Sequence, residues 1–187
     1  MANSTLGIKK VQLRAMILLL LGVSSLLSGC SSTSNSLERP KVPITATIVL
    51  TPAEPDRRSV LTATFTDGLN PAEFIDLRVL INTEVDGRHA CYVYFDPAAG
   101  RLSLVKDSGE GSETISIGEH GSTTNSQCSL AGQTSSTSQA GEQVSLRLDL
   151  TFSASFRGPR NVYLFANTRR GESTGFIKAG VWDSADQ

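Results

Sequence analysis

Gln143-Val144-Ser145-Leu146-Arg147-Leu148-Asp149-Leu150-Thr151-Phe152 is the stretch that decides the fold. Val144, Leu146, Leu148, Leu150 and Phe152 alternate with Ser145, Arg147, Asp149 and Thr151. Successive side chains of an extended chain point to opposite faces, so a period of two gathers all five apolar groups on one side. This is the pattern of a strand with one face in a core and the other toward water.

Working outward, the same period recurs. Leu61, Ala63 and Phe65 alternate with threonines, and Ile75, Leu77, Val79 and Ile81 alternate around Asp76 and Arg78. Cys91, Val93 and Phe95 interleave with Tyr92 and Tyr94, and Val162, Leu164 and Ala166 with Tyr163 and Phe165. Residues 44–50, 101–105, 114–117 and 176–182 are further strand candidates, and no amphipathic helix competes with them. Asp96-Pro97-Ala98-Ala99-Gly100 predicts a turn joining antiparallel strands 90–96 and 101–106, proline suiting its early position and glycine its left-handed one. Arg157-Gly158-Pro159 and Arg169-Arg170-Gly171 are similar breaks. About nine short strands, each with one apolar face, predict an all-β fold of two packed sheets. The expectation is a β-sandwich, immunoglobulin-like or jelly-roll-like, with a closed barrel as the alternative. Residues 118–141 are rich in Ser, Thr, Gln and Gly without apolar periodicity, and are expected to form a long loop.

The chain has 187 residues, enough for one domain after a leader. With 39% hydrophobic residues and a mean hydropathy of −0.07, it has the material for a core. It carries 17 basic and 18 acidic side chains. Lys9, Lys10 and Arg14 fall in the first 29 residues, which hold no acid, so the remainder is net acidic. That argues against the concentrated positive face a nucleic-acid partner needs, and Arg57-Arg58 and Arg169-Arg170 are too short to make one.

The N-terminus has a polar, basic beginning, the uncharged run Ala15-Met16-Ile17-Leu18-Leu19-Leu20-Leu21-Gly22-Val23, and then small residues closing on Leu27-Ser28-Gly29-Cys30. The order is that of an export signal, and the apolar run is short for a transmembrane helix. Leu27-Ser28-Gly29-Cys30 resembles the lipobox of bacterial lipoproteins. The resemblance implies cleavage after residue 29 and acylation of Cys30, with several fatty chains anchoring the protein to a membrane. Serine at position 31, where aspartate would signal inner-membrane retention, implies the outer membrane in a Gram-negative host. Residues 30–43 then read as the lipidated cysteine and a flexible tether, polar at first and stiffened by Pro40 and Pro43, with the domain spanning 44–187. With Cys30 taken by lipid, Cys91 and Cys128 remain as an even pair in an oxidising compartment, and a disulfide between them is expected.

Candidate chemistry is sparse. The two histidines, His89 and His120, lie in no paired ligand spacing. A metal site of Glu119, His120 and His89 has no support from spacing. There is no Gly-x-Ser-x-Gly elbow, and neither Gly109-Glu110-Gly111 nor residues 118–121 precede a helix that would cradle phosphate. Asp67-Gly68-Leu69-Asn70 and Glu73 offer oxygens, but not at EF-hand spacing, and a plain turn is the expected reading. No catalytic group, metal or cofactor is expected.

Tyr92, Tyr94, Tyr163 and Phe165 share the parity opposite to the core residues of their strands. Facing outward they would form an adhesive aromatic surface; on strands covered on both sides they would belong to a second core. The stretches 76–82, 90–96, 125–128, 161–166 and 180–182 resemble a β-rich module recurrent in secreted and surface proteins of acidobacteria. That resemblance brings no activity, and it supports the Cys91–Cys128 pairing. The expected function is a membrane-anchored, non-enzymatic surface lipoprotein binding an envelope polysaccharide or protein. The alternatives are an extracytoplasmic hydrolase or metal-dependent enzyme using His89 or His120, and a structural accessory of an envelope complex.

Overall fold

A computed structural model describes residues 43–53 and 58–183. The leader, Cys30 and the tether up to residue 42 lie outside the described residues. Eleven strands follow in order: β1 (Ile44–Ala53), β2 (Arg58–Asp67), β3 (Phe74–Asn82), β4 (Cys91–Asp96), β5 (Arg101–Val105), β6 (Ser112–Ser116), β7 (Ser122–Thr124), β8 (Cys128–Ala140), β9 (Gln143–Phe152), β10 (Arg160–Thr168) and β11 (Ile177–Trp182). One 3-10 turn among the described residues, Pro71–Glu73, precedes β3; the Asn70 side chain accepts from its Ala72 N–H and the Asn70 carbonyl from its Glu73 N–H.

The strands form two antiparallel sheets, ordered β1-β2-β9-β8-β7 and β11-β10-β3-β4-β5-β6. Their inner faces pack together, so the protein is a β-sandwich. Within the two sheets, the orders β1-β2-β9-β8 and β11-β10-β3-β4-β5 run as the A-B-E-D and G-F-C-C′-C″ orders of variable-type immunoglobulin sheets do, and β7 and β6 are added at the edges. β9 lies at the centre of the first sheet, between β2 and β8. Its Leu146, Leu148 and Leu150 are fully buried, as the period-two pattern requires. They meet Leu77, Val79 and Ile81 of β3 and Val162 and Leu164 of β10 in one continuous core. Phe152, Phe156 and Trp182 stack at one end of it.

Three expectations need correction. Residues 118–141 are not a loop: they contain β7 and β8, and β8 pairs with β9 along most of its length. Only Cys128 and Leu130 supply apolar alternation there. The rest of β8 is polar because it lies mostly outside the core, held by β9's backbone and not by its own side chains. The strands number eleven among the described residues, because β7 and β8 were hidden in that stretch. Ile75 does not share the inner face with Leu77. The β3–β10 register shifts so that Phe74 opposes Thr168 while Asp76 opposes Asn167, leaving Ile75 as the extra residue of a bulge. Phe74 takes the core position and Ile75 turns outward.

Two devices join the sheets. Cys91 at the start of β4 is bonded to Cys128 at the start of β8, with Cα atoms 5.6 Å apart and both side chains buried. Beside it, the Asn125 side chain donates to the carbonyls of Ala90 (2.9 Å) and Val105 (2.8 Å) and accepts from the N–H groups of Gln127 and Cys128, both at 2.9 Å. Every polar atom of this amide is used, so the disulfide enters a fixed frame.

Candidate functional site

The outer face of the six-stranded sheet carries a second apolar cluster. Leu80, Ala90, Tyr92 and Val105 are buried in it, and Tyr94, Tyr163 and Phe176 pack against it half-buried. Cross-strand register assembles these residues. Phe165, Arg78 and Tyr94 lie side by side on β10, β3 and β4, and Tyr163, Leu80 and Tyr92 form the adjacent row. All four aromatic residues singled out by parity therefore lie on one face.

They are not equally available. Tyr92 is 6% exposed. Its ring lies against Tyr94 (4.6 Å between centroids) and Phe176 (6.0 Å), and Gly87 of the β3–β4 loop sits so close that a side chain there would press on the ring. Burial, followed by its hydrogen bond to Tyr94, pushes the Tyr92 phenol well above its usual pKa. Tyr163 is held by its hydroxyl, which lies 3.0 Å from the Asn161 amide and 3.4 Å from the Thr83 carbonyl. Phe165 lies against Phe176, with centroids 5.3 Å apart.

Arg78, which the sequence showed only as a polar alternation, is the centre of the face. Its guanidinium carbon lies 4.5 Å from the Tyr94 ring centroid and 4.4 Å from that of Phe165, so it bridges the two rings. Its Nε donates to Asp76 at 2.7 Å, a second bond reaches the same carboxylate oxygen, and a terminal nitrogen lies 3.4 Å from the Tyr92 hydroxyl. Burial opposes the charge on Arg78, but the bonds to Asp76 and Tyr92 outweigh it and its pKa lies above the usual value. The guanidinium thus stays charged, paired with Asp76 and committed to the rings.

Beside Tyr94 the face opens into a groove of about 330 Å³ lined by Tyr94, Ser103, Val105, Gly109, Gly111 and Ser112. The floor is the β4–β5 pair; the rim is the β5–β6 turn. Gly109 has a positive φ, and a Cβ there would lie 2.8 Å from the Arg88 side chain, so glycine is needed for both conformation and space. The turn is closed by Gly109 N–H donating to the Lys106 carbonyl (2.9 Å) and Lys106 N–H to that of Gly111 (3.1 Å). An aromatic ring, serine hydroxyls and bare backbone therefore line one open groove. Ser103, Gly109, Gly111 and Ser112 carry no sequence signal of their own; the pair of glycines around Glu110 marks only the turn.

The other candidates lie elsewhere. His89 is exposed in the β3–β4 loop with φ of 49°, and His120 is exposed between β6 and β7. Neither lines this groove or a second cavity of about 310 Å³ at the sandwich end near Phe74, Phe95 and Pro97. Among the described residues no cluster of His, Cys, Asp or Glu could hold a metal ion. Asp67 serves a turn and an ion pair: it accepts from the Leu69 N–H (3.1 Å) and from Arg170 (2.6 Å). Asn70 caps the 3-10 turn, and the Glu73 carbonyl accepts from Arg169.

Comparison with protein-family models, with curated proteins and with solved structures finds no match to this chain.

Proposed function

We propose that this chain is a lipid-anchored envelope protein whose sandwich binds an envelope polysaccharide at the groove beside Tyr94, without catalysing a reaction. In this reading Cys30 carries the acyl chains, and the segment before Ile44 holds the domain away from the membrane. The observation that carries the binding half is the groove itself, with a half-buried ring, two serines and two glycines around one opening. Sugar rings present an apolar C–H face and a rim of hydroxyls. The first packs on an aromatic face or edge, and the second pairs with hydroxyls and exposed backbone. Arg78 supports the reading because it holds the Tyr94 ring in place before any ligand arrives, so less ordering is lost on binding.

Two measurements test it. Mass spectrometry of the mature protein should find the chain beginning at an acylated Cys30, and Cys30→Ser should leave washed membranes; an intact Met1, or a Cys30→Ser protein that stays wholly with the membranes, contradicts the anchor. Retention on purified envelope polysaccharides should be found for the wild-type chain and be lost in Tyr94→Ala. No retention on any of them contradicts the binding half.

A further inference from the structure

The free edges of the two sheets are β1 and β7 in one and β11 and β6 in the other. A free edge displays unpaired N–H and C=O groups and invites another strand unless it is short, charged or bulged. Three of the four edges are blunted in that way. β7 has three residues; β6 has five and carries Glu113; β11 has six, an exposed Lys178 and a register shift against β10. β1 is neither short, charged nor bulged, and its one such device is Pro52, next to its end. It runs ten residues, Ile44-Thr45-Ala46-Thr47-Ile48-Val49-Leu50-Thr51-Pro52-Ala53, without a charge. Its register with β2 is unbroken throughout, and among the described residues it pairs with no other strand. Ile44, Ala46, Ile48 and Leu50 are only half-buried against the core, and Val49 on the outer face is 64% exposed.

From this edge we infer that β1 pairs antiparallel with the β1 of a second copy of this chain, joining two five-stranded sheets into one continuous sheet. The strand is self-complementary. Antiparallel pairing about a two-fold axis at Val49 sets Val49 against its own copy, Thr47 against Thr51, and Ile48 against Leu50. Every residue then opposes one from the same face, as an isologous contact and the pleat both require. Threonine pairs and apolar pairs are favourable across strands, and no like charges meet. The segment just before β1 is a poorer occupant of the same edge, because Glu38, Arg39 and Lys41 charge it and Pro40 and Pro43 remove two donors within four residues, whereas β1 carries only Pro52 near its end. This inference does not rest on the proposed ligand.

The full-length chain purified in detergent provides the test, with mass measured by light scattering. The wild type should be a dimer and Val49→Lys a monomer with the far-UV spectrum of the wild type, since position 49 faces solvent in the single subunit. Val49→Cys should cross-link to a covalent dimer on mild oxidation, and Thr45→Cys no more than the wild type. The Val49→Cys arm decides the matter even where Val49→Lys folds poorly. A monomeric wild type, whatever else it binds, overturns the inference. So does a Val49→Lys dimer, or cross-linking through Thr45→Cys as efficient as through Val49→Cys.

Discussion

The Asp67 carboxylate, at the end of β2 and wholly buried, lies 2.6 Å from the guanidinium of Arg170 in the turn between β10 and β11. The pair joins one sheet to the other. Arg170 also holds Glu172 at 2.9 Å, and these two acids raise its pKa, Asp67 the more strongly. Removing the cation leaves a buried carboxylate with only the Leu69 N–H as a polar partner from this network, and an uncompensated buried charge is among the most destabilising changes a protein can suffer. Arg170→Ala should therefore lower the urea midpoint clearly more than Arg88→Ala, which breaks an exposed pair with Asp86. Equal effects would show that Asp67 finds another partner.

The disulfide closes a loop of 37 residues between β4 and β8. Replacing both cysteines by alanine should cost about 3 to 4 kcal/mol on the chain-entropy estimate. Denaturant unfolding of the oxidised protein and of Cys91→Ala/Cys128→Ala measures it directly. Both sulfurs are buried, so reductant should act on the folded protein only as fast as it opens.

How much of this was legible beforehand depends on what each residue packs against. β9, β2 and β10 announce themselves because one face is core and the other is not, so alternation is forced on the sequence. β8 does not, because its polar length is held by backbone pairing to β9 and needs no apolar side chains of its own. The bulge at Ile75 is invisible for a related reason: alternation counts residues and cannot register one left unpaired. Parity placed Tyr92, Tyr94, Tyr163 and Phe165 on one face. It could not tell that Arg78 would bridge two of the rings, which depends on β3 lying in register between β10 and β4, nor that Gly87 and Phe176 would cover Tyr92, which depends on the segments before β4 and β11 folding over the sheet. The cysteine pair was legible because, once Cys30 is assigned to lipid, arithmetic leaves a single partner.

Acid should weaken the fold through Asp149. Arg58 hydrogen-bonds this carboxylate through Nε at 2.7 Å and through a second nitrogen, and this outweighs burial to hold the Asp149 pKa below its usual value. A carboxylate depressed in the folded state contributes stability above its unfolded pKa of about 4 and loses it as pH falls through the folded value. The midpoint should thus be level near neutrality and fall below about pH 4. Asp149→Asn should flatten that fall. Asp86, lowered to about 2 by Arg88, pairs with an exposed guanidinium at the surface, and its share should fade with added salt while that of Asp149 persists.

At the alkaline end the sign reverses. Tyr92 is raised by burial, so the unfolded chain ionises first, near pH 10, while the folded one keeps its proton. Stability should decline as pH rises past that point, and Tyr92→Phe should remove the part of the decline that belongs to this phenol. Denaturation midpoints from pH 8 to 11 for the two proteins give the comparison. An identical slope would mean the ring is open to solvent.

The account turns on the groove at Tyr94, and a binding titration of the full-length chain with the polysaccharide that retains it tests this most directly. Tyr94→Ala should weaken binding at least about tenfold, as loss of a central aromatic contact does, while Val85→Ala, exposed on the β3–β4 loop outside the groove, should leave it unchanged. Equal affinity of wild type and Tyr94→Ala would contradict the assignment of this face as the binding site.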